Sequence, residues 1–319
     1  MRLVSYSIAG AASLGVLTPD GVLDAAALLD LDVRWKDLQQ ALEERPGVIE
    51  ELRSALRRPL PAAIAKAAFS LNPPLLRPPT IRDFMAYEGH ATMGGAWSLS
   101  EAWYRLPIFY FSNPLCVFGP DARLAVPSAS HKLDYELEIA AVIAREGRNV
   151  RREDAASYIA GFTIFVDWSA RDLQRDEMQA SLGPAKGKDF ANSIGPAIVT
   201  SDELQPLWRD GQLHGRCVAR VNGEVWTDSI VEGMHHDWAA LIERASRDSR
   251  IVPGDVIGSG CVVGGSIPEA LRLGKPARYL RPGDRVEIEV EGLGMLATTL
   301  GEAELSSEGY PYTAPSRAK

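Results

Sequence analysis

The spacing of apolar residues changes near residue 75. In the first part, apolar residues alternate along two short segments and then recur at helical spacing, which predicts two strands followed by helices. These segments are 3–8 and 14–17 for the strands, and 34–56 and 61–69 for the helices. The proline-rich run at 71–79 cannot continue a helix and predicts a linker. We therefore predict a small N-terminal α+β domain over residues 1–75.

The remaining chain, residues 76–319, is predicted to form a larger domain built mostly of strands. Short apolar segments separated by turns are typical of strands. Such segments lie at 108–111, 137–143, 162–166, 197–199, 216–221, 256–257 and 286–290, with helical signals at 152–160 and 237–247. The pair Asn222-Gly223 predicts a tight hairpin, and the tail after Ser306 is expected to be ordered only by a contact. Because strands and helices do not alternate regularly, we predict an α+β or β-roll domain rather than a doubly wound sheet.

Composition and charge narrow the class of protein. The 319 residues are 46% hydrophobic and 24% charged, as in ordinary soluble globular proteins, and the net charge is −8. Nucleic acids and anionic membranes both need a basic face, so we predict neither as a partner. No stretch approaches the ~20 apolar residues of a membrane helix. The three cysteines form no C-x-x-C pair, which excludes a cysteine-based zinc cluster and predicts a cytoplasmic protein.

Four polar segments follow one another and carry residues suited to metal and acid–base chemistry. Asp83 and His90 stand seven residues apart, just after the prolines. They are followed by Leu-Asp-Tyr-Glu-Leu-Glu at 133–138, Asp-Trp-Ser-Ala-Arg-Asp-Leu-Gln at 167–174 and Gly-Pro-Ala-Lys-Gly-Lys-Asp-Phe at 183–190. Together the segments supply four carboxylates for a hard cation, a histidine base and a candidate buried lysine.

The carboxylates, taken one motif at a time, leave alternatives open. Glu136 and Glu138 share one face of a predicted strand, where a divalent cation would relieve their repulsion. A solvated strand face gives the same pattern, and the segment 285–291 repeats it. Asp167 follows an apolar run, where a charge needs a partner or a metal, but it also suits the start of a helix as a capping residue.

The candidate functional lysine and the candidate catalytic base are also ambiguous by themselves. Lys186 lies in a loop bounded by glycine and proline, where lysines are usually solvated. His90 is a lone histidine, and these are more often core residues with a satisfied hydrogen bond. Its interpretation as a base depends on Glu269, which follows a glycine-rich loop and could orient it.

The order of these motifs resembles the fumarylacetoacetate hydrolase family over residues 81–290. The resemblance implies an α+β fold, in which a small N-terminal domain precedes a catalytic domain of mixed β-roll/β-sandwich type, usually in a homodimer. It also implies a bound divalent ion, Mg²⁺ or else Mn²⁺ or Ca²⁺. The implied residues are Asp83, Glu136, Glu138 and Asp167 for the metal, His90, Glu269 and Lys186 for catalysis, and Tyr110, Arg171 and Gln174 for the substrate.

The chemistry that this resemblance implies is hydrolysis of a C–C bond. A β-dicarbonyl, acylpyruvate or other 2-oxo acid would chelate the metal, which polarises the carbonyl group. His90, aligned by Glu269, would deprotonate the attacking water, and Lys186 would stabilise the negative charge that develops. The family also contains decarboxylases, hydratases and isomerases, and a non-catalytic protein that binds metal and ligand is a further alternative.

Four substrate-contacting positions depart from the family pattern. Met85, Leu99, Met178 and Cys261 stand where fumarylacetoacetate hydrolases carry tyrosine, arginine, tyrosine and threonine. Groups expected to bind a terminal carboxylate are thus replaced by apolar or soft side chains, beside which an unpaired carboxylate would be unfavourable. We therefore predict a substrate that is less anionic at its distal end than fumarylacetoacetate.

Overall fold

The computed structural model describes residues 1–305, and the tail after Ser306 lies outside the described residues. The strands in chain order are β1 (Arg2–Ile8), β2 (Ala11–Thr18), β3 (Gly21–Asp24), β4 (Ser70–Leu71), β5 (Ile81–Phe84), β6 (Phe109–Ser112), β7 (Val117–Phe118), β8 (Ala122–Ala125), β9 (Leu133–Asp134), β10 (Leu137–Ile143), β11 (Ile159–Asp167), β12 (Ser169–Ala170), β13 (Asn192–Val199), β14 (Trp208–Arg209), β15 (Gln212–Leu213), β16 (Gly215–Val221), β17 (Glu224–Val231), β18 (Val256–Gly258), β19 (Arg285–Val290) and β20 (Gly294–Gly301).

The helices are short. They are α1 (Ala25–Leu29), α2 (Leu38–Glu44), α3 (Val48–Ala55), α4 (Glu88–Ala91), α5 (Glu101–Arg105), α6 (Arg171–Gln179), α7 (Trp238–Ser246) and α8 (Ile267–Arg272), with 3₁₀ turns at Lys66–Ala68, Arg152–Tyr158 and Gln205–Leu207. No helix among the described residues is long and apolar enough to cross a membrane. The predominance of strands over helices, without a βαβ repeat, confirms the predicted α+β class.

The main sheet has eleven strands and brings together distant parts of the chain. Its order is β3-β2-β1-β13-β11-β10-β18-β5-β6, with β4 paired to β1 and β7 to β13. Every residue of β10 is buried, because alternate side chains enter hydrophobic clusters on opposite faces of the sheet. This sheet therefore has no solvated face at its centre, where the acidic residues of β10 and β11 lie.

A second, five-stranded sheet with the order β17-β16-β19-β20-β8 covers one face of the main sheet. Phe162, Ile164 and Val166 of β11 share a hydrophobic cluster with Ile288 of β19 and Leu296 of β20. The hairpin predicted at Asn222-Gly223 joins β16 to β17, and both turn residues have the positive φ that such a turn requires. The two sheets thus form the expected sandwich.

The N-terminal residues extend the main sheet. β1 pairs with β13 through Arg2 and Leu3, and helices α1 to α3 cover the face opposite the second sheet. The boundary at residue 75 stays a prediction, since the pairing joins both sides of it within one sheet. The helix predicted over 61–69 is wrong, because Ile64 forms a bridge with Val22 and only one 3₁₀ turn follows.

Candidate active site

Three buried carboxylates converge at the centre of the main sheet. Asp83 comes from β5, Glu138 from β10 and Asp167 from the end of β11, and one oxygen of each lies within 4.8 Å of the others. Between the first two strands runs β18, whose Gly258 is paired with Asp83. A Cβ atom on this glycine would overlap the Asp83 carboxylate, so the close approach requires glycine here.

Some oxygen atoms of these carboxylates have no hydrogen-bond partner among the described residues. They are Oδ1 of Asp83, both oxygens of Glu138 and Oδ1 of Asp167. Burial, reinforced for Glu138 and Asp167 by the neighbouring negative charges, raises the pKa of all three groups. An all-oxygen, anionic set of this kind fits a hard divalent cation, which would supply the missing partner to each orphaned oxygen.

Glu136, the fourth expected metal ligand, lies at the edge of this group and already has partners. Its carboxylate accepts hydrogen bonds from Arg171 and Lys188 and stands 3.5 Å from Nε2 of His90. Burial alone would raise its pKa, but the three cationic neighbours hold it well below the usual range. Glu136 is therefore ionised, and it ties the carboxylate group to the base.

The lysine beside the carboxylates is Lys188 and not Lys186. The Lys188 ammonium donates to both Glu136 and Asp167, and its side chain is only 4% exposed. The side chain of Lys186 is 65% exposed and pairs with Asp189. The expectation for Lys186 is corrected accordingly: the loop turns so that the second of its two lysines faces the sheet.

This loop is held by Glu177 at the end of α6. Its carboxylate accepts hydrogen bonds from the backbone N–H groups of Ala185, Lys186 and Gly187, at 2.8, 2.6 and 3.1 Å. Such a nest of consecutive N–H groups suits an anion, and it fixes the backbone just before Lys188. Sequence reasoning missed this residue, since nothing in its local pattern indicates a partner eight residues away.

His90 and Glu269 form the expected pair. His90 lies on the short helix α4, and its Nδ1 is 2.8 Å from Oε2 of Glu269. Glu269 is itself held by the Ser266 hydroxyl at 2.8 Å and by the backbone N–H of Gly264 at 2.9 Å. Burial opposes protonation of the imidazole, but Glu136 and Glu269 outweigh it and raise the pKa of His90 to about 9. The negative surroundings thus attract positive charge at this point.

Asp134 connects the two halves of the site. It is fully buried and accepts from Nε of Arg171 at 2.7 Å, while its other oxygen accepts from the backbone N–H of Ile267 at 2.8 Å. Ile267 begins α8, the helix that carries Glu269. Arg171 donates to Gln174 as well as to Glu136, so three side chains hold its guanidinium in place. Contacts of Arg171 and Gln174 with a substrate stay predictions.

Tyr110, another expected substrate contact, lies on β6 beside the carboxylates. Its hydroxyl donates to Oδ2 of Asp167 at 2.7 Å. Burial and the charge of Asp167 raise the pKa of Tyr110, so the phenol stays protonated and acts as a donor.

Comparison with known proteins identifies the family. Residues 80–301 match the family model described as fumarylacetoacetate (FAA) hydrolase C-terminal. The chain belongs to the fumarylacetoacetate hydrolase family. The expectation drawn from the order of the acidic motifs is thereby confirmed.

Members and structural relatives that resemble the chain carry the names of different activities. The human mitochondrial oxaloacetate tautomerase FAHD2A is 31% identical over 265 residues, which are 82% of this chain and 78% of that protein. A crystal structure of a provisionally named HpcE protein from Mycobacterium smegmatis aligns at a TM-score of 0.75 with 28% identity, covering 95% of this chain and 100% of the other. Maleylpyruvate hydrolase from Sphingobium sp. SYK-6, in complex with manganese(II) and pyruvate, aligns at 0.71 with 22% identity, covering 95% and 100%. Family membership therefore does not by itself select the reaction.

The four positions that depart from the family pattern differ in exposure. Met85 and Met178 are 38% and 52% exposed, and Leu99 is half-buried. Cys261 is buried, and its Sγ lies in one group with His90 and Glu136. Thus only the cysteine is packed among the residues of the site.

Proposed function

We propose that the protein is a divalent-metal-dependent enzyme that hydrolyses a C–C bond in a β-dicarbonyl or acylpyruvate-type substrate. The observation that carries this proposal is the group of buried carboxylates with unpaired oxygens beside the His90–Glu269 pair. A cation site without a base would suit binding alone, whereas an oriented histidine next to it suits proton transfer.

Asp83, Glu138 and Asp167 would hold the ion, with Glu136 at its edge. Mg²⁺ is the expected ion and Mn²⁺ or Ca²⁺ the alternatives, since all three accept carboxylate oxygens. When bound, the ion would polarise a substrate carbonyl as a Lewis acid.

His90 supplies the base. In the neutral form of His90, the Nδ1–H group donates to Glu269, which fixes the ring and leaves Nε2 to accept a proton from water. A cation held by the neighbouring carboxylates would offset the negative charge that raises the pKa of the ring to about 9, and so would favour this neutral form. The water oxygen then bonds to the carbonyl carbon, and the C–C bond breaks with its electron pair on the departing enolate carbon. The proton on Nε2 is available to that carbon, so the histidine returns to its neutral state.

Lys188 stabilises the negative charge that develops during this reaction. Its ammonium is buried and held by two carboxylates, so it is fixed in place before the substrate arrives. A preorganised donor of this kind stabilises a developing oxyanion more than a solvated one does. We therefore assign to Lys188 the role that the sequence suggested for Lys186.

Keto–enol tautomerisation of a 2-oxo acid is the second candidate. It is favoured by the 31% identity to an oxaloacetate tautomerase over most of the chain. In that reaction His90 would remove a proton from carbon instead of from water and return it elsewhere, and no bond between carbons would break. Decarboxylation, hydration and a purely binding role use the same carboxylates and remain alternatives.

The substrate is proposed to carry a weakly anionic or apolar distal group. Met85, Leu99 and Met178 offer no charge to a distal carboxylate. We also predict a cytoplasmic homodimer, although several curated relatives are named as mitochondrial proteins.

The test is a Mg²⁺-supplemented screen of acylpyruvates, oxaloacetate and neutral β-diketones, with the products identified. Hydrolysis predicts two carbonyl fragments per turnover, tautomerisation predicts enol loss without fragments, and decarboxylation predicts CO₂. His90→Ala should lower the hydrolytic kcat about 100-fold or more, and the exposed His131 provides a matched His131→Ala control. Full activity of His90→Ala would refute the proposed mechanism.

A further inference from the structure

A second group of possible ligands adjoins the carboxylates and has a different chemistry. One atom each of His90, Glu136 and Cys261 lies within 4.8 Å of the others. We propose that these three residues form a second site, which shares Glu136 with the edge of the carboxylate group, for a thiophilic divalent cation such as Zn²⁺, and that its occupation inhibits the enzyme. The proposed reaction makes no use of the cysteine sulfur, so inhibition through this site would be a property beyond the proposed function.

The geometry of His90 favours a ligand role for its Nε2 atom. Because Nδ1 is bonded to Glu269 at 2.8 Å, the lone pair of a neutral ring lies on Nε2. A histidine whose other nitrogen donates to a carboxylate is the usual arrangement of a zinc-bound imidazole. Oε1 of Glu136 stands 3.5 Å from Nε2. Two ligands of a tetrahedral zinc ion, with bonds of about 2.0–2.2 Å, lie at about this separation.

Cys261 completes the set with a sulfur atom. The residue is 2% exposed, and a Cβ atom on Gly265 would lie 2.9 Å from its Sγ. The glycine therefore leaves the space that the sulfur occupies. The thiol would lose its proton on coordination, as zinc-bound cysteines do.

The nitrogen, oxygen and sulfur atoms of this group distinguish it from the all-oxygen group nearby. Thiolate and imidazole ligands favour zinc, whereas a carboxylate set favours Mg²⁺, Mn²⁺ or Ca²⁺. Three protein ligands with a fourth position open is a common zinc geometry. The two groups should thus select different ions, although they lie side by side.

Inhibition follows from the identity of the ligands and rests on the proposed function. An ion on Nε2 occupies the lone pair that His90 needs as a base, and it also engages Glu136. Binding of the ion does not depend on which reaction the enzyme catalyses, so binding and inhibition can be tested separately.

The binding test uses Co²⁺ as a spectroscopic substitute for Zn²⁺, added to the full-length protein in saturating Mg²⁺. The wild-type protein should develop the near-ultraviolet absorption band of a thiolate–cobalt bond at one equivalent, and Cys261→Ser should not. Cys116→Ser, which removes a half-buried thiol elsewhere, is the matched control and should keep the band. Absence of the band from the wild type, or its persistence in Cys261→Ser, overturns the site. Cys261→Ala replaces the serine variant if circular dichroism shows that the latter is unfolded.

The inhibition test titrates Zn²⁺ into the enzyme in excess Mg²⁺, with activity expressed relative to each variant without zinc. Loss of one ligand should raise the half-inhibitory zinc concentration at least about tenfold in Cys261→Ser, and leave it unchanged in Cys116→Ser. A cobalt band without zinc inhibition would overturn the inhibitory role while leaving the site. If no substrate of the proposed type is turned over, the function fails and the cobalt result still decides the site.

Discussion

The lysine beside the carboxylates allows a direct comparison, because the same loop carries a second lysine two positions earlier. Lys188 is buried against Glu136 and Asp167, whereas Lys186 lies at the surface with Asp189. We would replace each lysine with methionine, which keeps the length of the side chain and removes the charge.

The expected magnitudes differ because the two ion pairs differ in burial. Removing one partner of a buried ion pair lowers the free energy of unfolding by about 3–5 kcal/mol. With an unfolding entropy of about 2.1 cal/mol/K per residue, a chain of this size should lose about 4–8 °C in Tm for Lys188→Met. An exposed pair contributes at most about 1 kcal/mol, so Lys186→Met should stay within about 2 °C of the wild type.

The assay is thermal unfolding in chelator and again in saturating Mg²⁺, followed by activity. In Mg²⁺ the Tm loss of Lys188→Met should shrink, because a bound cation offsets the same buried negative charge. Its kcat should fall about 100-fold or more, while Lys186→Met should keep the wild-type value. An equal or larger effect of Lys186→Met on Tm or kcat would refute the assignment of Lys188.

Three further predictions concern the supports of the site and the acid stability of the protein. Asp134→Asn should lower the free energy of unfolding by about 1.5–3 kcal/mol in urea titration, because it weakens a charged hydrogen bond to Arg171; unchanged stability would contradict this. Gly258→Ala should weaken Mn²⁺ binding measured by calorimetry, because its Cβ atom displaces the carboxylate of Asp83; wild-type affinity would count against a metal ligand at that position. Burial lowers the pKa of His236 in the folded protein, so as the pH falls this histidine is protonated in the unfolded chain before it is protonated in the folded one. The free energy of unfolding should therefore decrease as the pH falls below about 6.5. His236→Gln should show a shallower loss over that range, and identical slopes would exclude the histidine as the cause.

The strands were predictable because a strand buried on one or both faces has an alternating or continuous pattern of apolar residues in the sequence. β10 was predicted at its observed bounds, 137–143, from its run of apolar residues. The helix predicted at 61–69 failed for the opposite reason: Ile64 is fixed by Val22, a partner far away in sequence that local spacing cannot reveal.

The site residues were predictable only in part, because the sequence pattern does not show which side chains are buried. Glu136 and Glu138 share an alternating pattern with Glu287 and Glu289, yet the first pair is buried and the second is not. Only the order of several motifs distinguished the two strands. The choice between the lysines depended on the turn of a loop held by Glu177, which lies in another element. Contacts of this kind are made by the fold and leave no local pattern.

The ligands of the proposed ion lie on β5, β10 and β11, which are distant in sequence and adjacent or nearly so in one sheet. An unfolded chain therefore offers no preformed site, and an ion that binds only the assembled sheet contributes its binding free energy to folding. Folding must close long loops before this contribution is gained, so the ion binds late in folding. In a cell, the supply of free divalent ion would then set the lifetime of the protein as well as its activity, because the unloaded chain opens more often to proteases.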